Sequence, residues 1–277
     1  MKTRSRPNGF TLVEVLVVVA VLALLIGLLL PALSSARHAA QQAQCGSNIR
    51  QLVLALDAYA DDHQGRYAPG AAGIQTTNLH RWHGTRRSAG DAFGPDGGPI
   101  SMYLNGDQPP GATTQGVRNC PTFSVTMTTG TSNQFGFERS AGGYGYNNAF
   151  VGVTRRLERS GGEPVWRLET DRIGAARSEF RHPTRTVAFA DSALAADDLI
   201  EYSFIEPAFW PEYPGARPDP STHFRHRGIA NVAWLDGHVS GESLVFSQAS
   251  GLYAASPQQL GIGWFGETQD NSLYQPR

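Results

Sequence analysis

Four side chains in the last third of the chain have the types and the closeness to do chemistry: Asp191, His226, Asp236 and His238. An imidazole beside a carboxylate makes the acid–base pair of a hydrolase, or two ligands of a metal ion. A plainer reading competes. Asp236-Gly237 is a two-residue hairpin signal of the type I′ kind, and His226 would then hydrogen-bond backbone near that turn. The plainer reading is preferred, because neither a His-x-x-x-His pair nor an aspartate-rich loop accompanies these residues. Asp191, Asp197, Asp198 and Glu201 offer oxygen ligands of the kind calcium takes, but their spacing matches no calcium loop. Gly142-Gly-Tyr-Gly-Tyr is not followed by a helical pattern, so it reads as a turn or strand edge and not a phosphate loop. The chain has no nucleophile elbow, P-loop or dinucleotide fingerprint. The expectation is a non-enzyme with no metal and no other cofactor.

Three further residues matter for where the chain works. Cys45 and Cys120 are its two cysteines. In an oxidising compartment they are expected to pair, and closing so long a loop stabilises by about 4.5 kcal/mol in the entropy model. Two buried free thiols are the alternative. Glu14 is the third. It sits in Phe10–Leu30, an apolar run in which only Thr11 and Glu14 are polar.

The elements that must position these residues follow from composition and period. The chain has 277 residues and a net charge of −1, so bulk charge gives no case for a nucleic-acid partner. With 31 glycines and 17 prolines a turn-rich body is expected. The charge is asymmetric. Residues 1–30 carry Lys2, Arg4 and Arg6 against the single acid Glu14. Phe10–Leu30, if helical, spans about 32 Å, enough to cross the roughly 30 Å hydrocarbon core. The basic residues before it keep the N-terminus cytoplasmic and send the rest across. A signal peptide, a plain anchor and a processed anchor all fit that outline. A plain anchor gives Glu14 no reason to be there, since a carboxylate in a membrane helix is costly.

After Pro31 helix formers dominate to Asp62. Ile49, Leu52, Val53, Leu56 and Tyr59 repeat at the spacing of one buried helix face. Gly46 lies inside this stretch, and Gly65 is placed to end it. Residues 66–140 read as long loops with a few short strands. Arg185–Asp191, Ile229–Leu235 and His238–Leu244 read as strands, the last two joined at Asp236-Gly237 into an antiparallel sheet. Trp82, Trp166, Phe209-Trp210 and Trp264 are core residues or the exposed aromatics of a ligand site.

Gly9-Phe10-Thr11-Leu12-Val13-Glu14 resembles the processing site of type IV pilins and type II secretion pseudopilins. The resemblance implies that a prepilin peptidase cuts after Gly9 and methylates the new terminus at Phe10. It also implies that Glu14 pairs with the terminal amine of a neighbouring subunit during assembly. A buried carboxylate is tolerable when an ammonium neutralises it, and one helix cannot easily supply both groups. Pro31 falls where that family often kinks or loosens the helix. Cys45-Gly-Ser-Asn-Ile-Arg-Gln-Leu is similar to a stretch that follows the membrane helix in pilin-like proteins typical of planctomycete and verrucomicrobial bacteria. The spacing His226-x9-Asp236-Gly237 resembles the C-terminal mark of the same group, and Tyr144-Gly-Tyr-Asn147 and Pro183–Asp191 fit it too.

The resemblance implies an α+β, lollipop-shaped pilin-like fold, with a long N-terminal helix packed on a small antiparallel β-sheet with long loops. Residues 1–9 would be a cytoplasmic leader, 10–30 the transmembrane and filament-core helix, 31–65 its amphipathic continuation, and 66–277 a periplasmic ectodomain. The implied role is a structural subunit of a type II secretion or type IV pilus-like filament. Its partners would be the prepilin peptidase, an inner-membrane assembly platform and like or unlike pilin subunits. The alternative is a minor tip pilin or adhesin with a ligand site in residues 66–220.

Overall fold

A computed structural model describes residues 11–94, 97–105, 116–123, 138, 140–159, 164–196, 198–251 and 253–276. The leader at 1–9, the Gly9-Phe10 junction and Asp197 lie outside these residues. The chain divides into two compact units, Met1–Gln41 and Gln42–Arg277, and helix α1 (Leu12–Asp62) runs through both. It continues through Pro31 and Gly46 without a break in assignment. At its end Gln64 and Gly65 both take positive φ, and the Gly65 N–H donates to Ala60 O at 2.8 Å. That left-handed closure is the helix stop that Gly65 signals in the sequence.

From Val15 to Leu33 the helix is apolar on all sides, and its large side chains from Leu12 to Leu33 are 50% to 81% exposed. Within the second unit a stripe is buried: Cys45, Asn48, Ile49, Leu52, Val53, Leu56 and Ala60. This is the 3.6-residue period of the sequence, now with a sheet to cover it.

The short pair β1 (His80–Arg81) and β2 (Gly84–Thr85) and the helix α2 (Ser101–Asn105) come first in the body. Ser101–Asn105 is thus helical within the stretch that reads as long loops with a few short strands. Then follow β3 (Tyr144–Tyr146), the ribbon β4 (Thr154–Glu158) and β5 (Val165–Thr170), β6 (Val187–Asp191), β7 (Leu194–Ala195), β8 (Leu199–Ile200) and β9 (Thr222–His223). Strands β10 (Ile229–Trp234), β11 (Val239–Ser243) and β12 (Ile262–Gly263) complete the order. The central sheet is four-stranded, antiparallel, in the order β11-β10-β6-β3. The fold is α+β, a long helix packed on small antiparallel sheets.

Strand pairing sets which side chains meet the helix. Ala233 pairs with Phe189, and both join the cluster that holds the helix stripe, Tyr144 and Tyr146. Val232 pairs with Ala190 and Trp234 with Val187, and these four build the opposite cluster with Trp264, Phe265 and Tyr274. Between Ala233 and Trp234 the register shifts. Ala188 is the extra residue of that bulge, and it lets Val187 and Phe189 face opposite clusters. Because both faces are covered, β6 is buried along its whole length. The apolar run in its sequence reflects this.

The hairpin joining β10 to β11 is present, but its turn differs from expectation. Gly237 has φ +87°, Asp236 does not have positive φ, and the Gly237 N–H donates to Trp234 O at 2.9 Å. This is a three-residue loop with a glycine bulge, not a type I′ turn. The type I′ geometry occurs instead at Arg227-Gly228, where both residues have positive φ and His226 and Ile229 exchange backbone hydrogen bonds of 3.0 and 3.2 Å.

Candidate functional site

The start of α1 carries a reciprocal cap. Thr11 Oγ1 accepts the Glu14 N–H at 3.3 Å, and Glu14 Oε2 accepts the Thr11 N–H and hydroxyl at 2.8 Å each. A Thr-x-x-Glu capping box satisfies two donors at the helix start. It also holds the Glu14 carboxylate at the helix N-terminus, where the dipole favours an anion. Beyond the box, the helix is long and apolar enough to cross a membrane. Its exposed side chains suit lipid, or other helices like it, equally well.

The second constellation is buried in the body. His226, placed by the Arg227-Gly228 turn, puts Nε2 3.2 Å from Asp191 Oδ2 and 3.8 Å from Cys120 Sγ. Asp191 ends β6, opposite Tyr144 and next to Asn231 of β10. Its Oδ2 accepts the Asn231 backbone N–H at 2.7 Å and side-chain amide at 3.1 Å. Arg225 lies 3.9 Å from Asp191 Oδ1 and donates from Nη2 to the carbonyls of Gly143 and Ser192, each at 2.8 Å. Its guanidinium carbon rests 4.4 Å from the Phe123 ring. Burial pushes the Arg225 guanidinium below its ordinary range, against the pull of Asp191.

The helix reaches this cluster through Cys45, which is bonded to Cys120 with a Cα–Cα separation of 5.1 Å. One turn on, the Asn48 amide donates to Asn119 O at 3.1 Å and Gly116 O at 3.4 Å. Tyr144 donates to the Cys45 carbonyl at 3.3 Å, and burial raises its phenol far above the ordinary value. Asn147 bonds the carbonyls of Val187 and Tyr274, each at 2.9 Å. Cys45, Asn48, Tyr144, Asp191 and His226 therefore serve one region, tying helix to sheet, while Asn147 joins β6 to the C-terminal segment.

The pairing of His226 with Asp236 does not form. Asp236 instead accepts from His238 Nδ1 at 2.6 Å on the hairpin, and the His238 ring stacks on Trp234. The partner of His226 is Asp191, 35 positions upstream. Asp191 was one of the four residues singled out in the sequence, but no spacing rule chose it over Asp236 as the partner.

A serine–histidine contact also invites a catalytic reading. His83 Nε2 lies 2.9 Å from Ser203 Oγ, and Ser203 donates to Glu138, which is bound by Arg81. Burial drives the His83 imidazole down to about 3, so it is neutral. The serine hydrogen goes to the carboxylate, so His83 Nε2 is the donor in its own contact. A nucleophilic pair needs the opposite direction, hydroxyl to imidazole. Ser203 is moreover fully buried. Sequence reading missed this network, whose members are far apart in the chain.

Of the tryptophans, Trp82 and Trp264 are core residues, while Trp210 is 40% exposed. Trp166, Phe209, Trp210 and Pro211 line an open cleft of about 680 Å³, together with Asp270, Asn271 and Gln275.

Residues 4–30 match the prokaryotic N-terminal methylation motif. With the apolar helix that follows, this supports a type IV pilin-like protein anchored in a membrane, a substrate for a prepilin peptidase and a member of a pilin-like polymer. No curated protein and no solved structure matches the chain.

Proposed function

We propose that the chain is a non-enzymatic pilin-like subunit of a type II secretion or type IV pilus-like filament. It is cut after Gly9, N-methylated at Phe10, and extracted from the inner membrane by an assembly platform. The N-terminus faces the cytoplasm and the body the periplasm, by the distribution of Lys2, Arg4 and Arg6. The observation that carries the reading is the methylation motif at 4–30 joined to an apolar helix exposed on every side. The buried polar cluster at 191, 225 and 226 then has a structural role.

The test is processing. Co-expressed with a prepilin peptidase, the chain should run as a shortened band, and Gly9→Val should stay full length. A wild-type chain that is not shortened, or a Gly9→Val chain that is, would count against the proposal.

The cleft beside Trp166 and Trp210 favours a second reading, a minor tip subunit whose ligand lies against those rings. Copy number separates the two. A main subunit is abundant in isolated filaments, and a tip protein is scarce.

A further inference from the structure

The buried cluster around the cysteines has the chemistry of a metal site. Cys45, Cys120 and His226 are each at most 5% exposed, and their two Sγ atoms and an imidazole nitrogen lie within 4.8 Å of one another. Cys120 Sγ to His226 Nε2 is 3.8 Å, and His226 Nε2 to Asp191 Oδ2 is 3.2 Å. A tetrahedral zinc ion with Zn–S of about 2.3 Å and Zn–N or Zn–O of about 2.0–2.2 Å sets its ligands roughly 3.3–3.8 Å apart. One edge of such a tetrahedron, sulfur to imidazole, stands in that range, and the imidazole-to-carboxylate edge falls just short of it. The bonded sulfurs must part, and the Asp191 carboxylate, which lies outside the group of three close ligand atoms, must turn toward them.

Two further observations point the same way. Asp191 is 0% exposed, and its Oδ1 has no hydrogen-bond partner. Arg225, its side chain 2% exposed, holds Nε 3.9 Å from that oxygen, and neither Nε nor Nη1 has a hydrogen-bond partner. Two thiolates and one carboxylate around Zn²⁺ leave one negative charge, and the Arg225 guanidinium cancels it. In the disulfide form Arg225 meets the Asp191 carboxylate only at 3.9 Å, and Asp191 Oδ1 and Arg225 Nε and Nη1 make no hydrogen bond, which is costly at such depth.

We infer that the chain with both cysteines reduced binds one Zn²⁺ through Cys45 Sγ, Cys120 Sγ, His226 Nε2 and the Asp191 carboxylate. The chain is synthesised with both cysteines as thiols, so no reductant is needed to reach this state. Each thiol releases its proton to solvent as its sulfur bonds the metal, two protons per ion. The disulfide and the metal exclude one another, because each uses both sulfurs. The metal form fastens α1 to the segment 116–123 before oxidation, through the same two residues that the disulfide later joins. The site is shut off from solvent, so the ion enters as the body folds.

The experiment uses the full chain in detergent, reduced with a phosphine, with Co²⁺ as the spectroscopic probe and Zn²⁺ as competitor. The expected result is one Co²⁺ per chain, a thiolate-to-cobalt charge-transfer band in the near ultraviolet, and intense visible bands of tetrahedral cobalt. Zn²⁺ should displace it, and the oxidised chain should show no band. His226→Gln and Asp191→Asn should each weaken binding tenfold or more. Asp191→Asn keeps an oxygen acceptor for Asn231, so it reports even where His226→Gln does not fold. A reduced chain that unfolds but refolds with the band on adding Co²⁺ supports the site. A reduced chain without the band, folded or not, overturns it, as does binding that is indifferent to both substitutions.

Discussion

Glu206 shows how a single buried group ties stability to pH. It is 8% exposed, its carboxyl accepts the Tyr202 hydroxyl at 2.5 Å, and burial pushes it from 4.5 up to about 7. Between those values the folded chain holds a proton that the unfolded chain has lost. Stability from this group is full below pH 4.5 and declines as pH rises to about 7. Thermal unfolding followed from pH 5 to pH 8 should show a falling midpoint, and Glu206→Gln should flatten the slope and leave the higher-pH protein more stable than wild type. A slope unchanged by the substitution would place the titration elsewhere. The same scale shows what sequence could not disclose. His226, Asp236 and Gly237 were visible as a spaced motif, yet the working partner of His226 is Asp191, brought alongside by strand pairing that no spacing encodes. Glu206 and the Arg81–Glu138–Ser203 network were equally silent, because burial of a charge is a property of the fold and not of its neighbours in sequence.

At the scale of elements, α1 changes its contract along its length. From Val15 to Leu33 every face is apolar and exposed; from Cys45 onward a narrow stripe is buried. Leu52 is 0% exposed and Leu54 is 51% exposed, two residues apart on the same helix. Leu52→Ala should cost about 2–5 kcal/mol of body stability, since it leaves a cavity against the sheet. Leu54→Ala should cost less than about 0.5 kcal/mol. Denaturant titration of both variants would decide, and equal costs would refute the assignment of the buried face. This stripe was legible because a helix against a sheet imposes its 3.6-residue period. Strands β6 and β10 were legible because burial on both faces makes them continuous apolar runs. The ribbon β4–β5 was not. Its strands, rich in arginine and glutamate, are bridged by exposed ion pairs such as Arg156–Glu169 and Arg167–Glu158, and they have no apolar alternation to announce them. The type I′ turn was sought at Asp236-Gly237 and is found at Arg227-Gly228, since the loop length chosen by the flanking pairing, and not the dipeptide alone, selects the turn.

At the scale of the whole molecule, an apolar N-terminal helix with one acid at its start leads into a body rich in loops. Glu14 is held by Thr11 within its own chain, with Oε2 accepting both donors. In the proposed filament its charge is neutralised by the terminal amine of a neighbour. Glu14→Ala should therefore be processed and membrane-bound like wild type, yet form few filaments by electron microscopy; normal filaments would remove the pairing role. The central claim is the route by which the chain matures, and intact and N-terminal mass spectrometry of the protein from its own host tests it most directly. A chain that begins at Phe10 and carries one extra methyl is the predicted result. A chain that begins at an uncut Met1, or near Arg37 after signal-peptide cleavage, would contradict the account and leave Glu14 without a purpose.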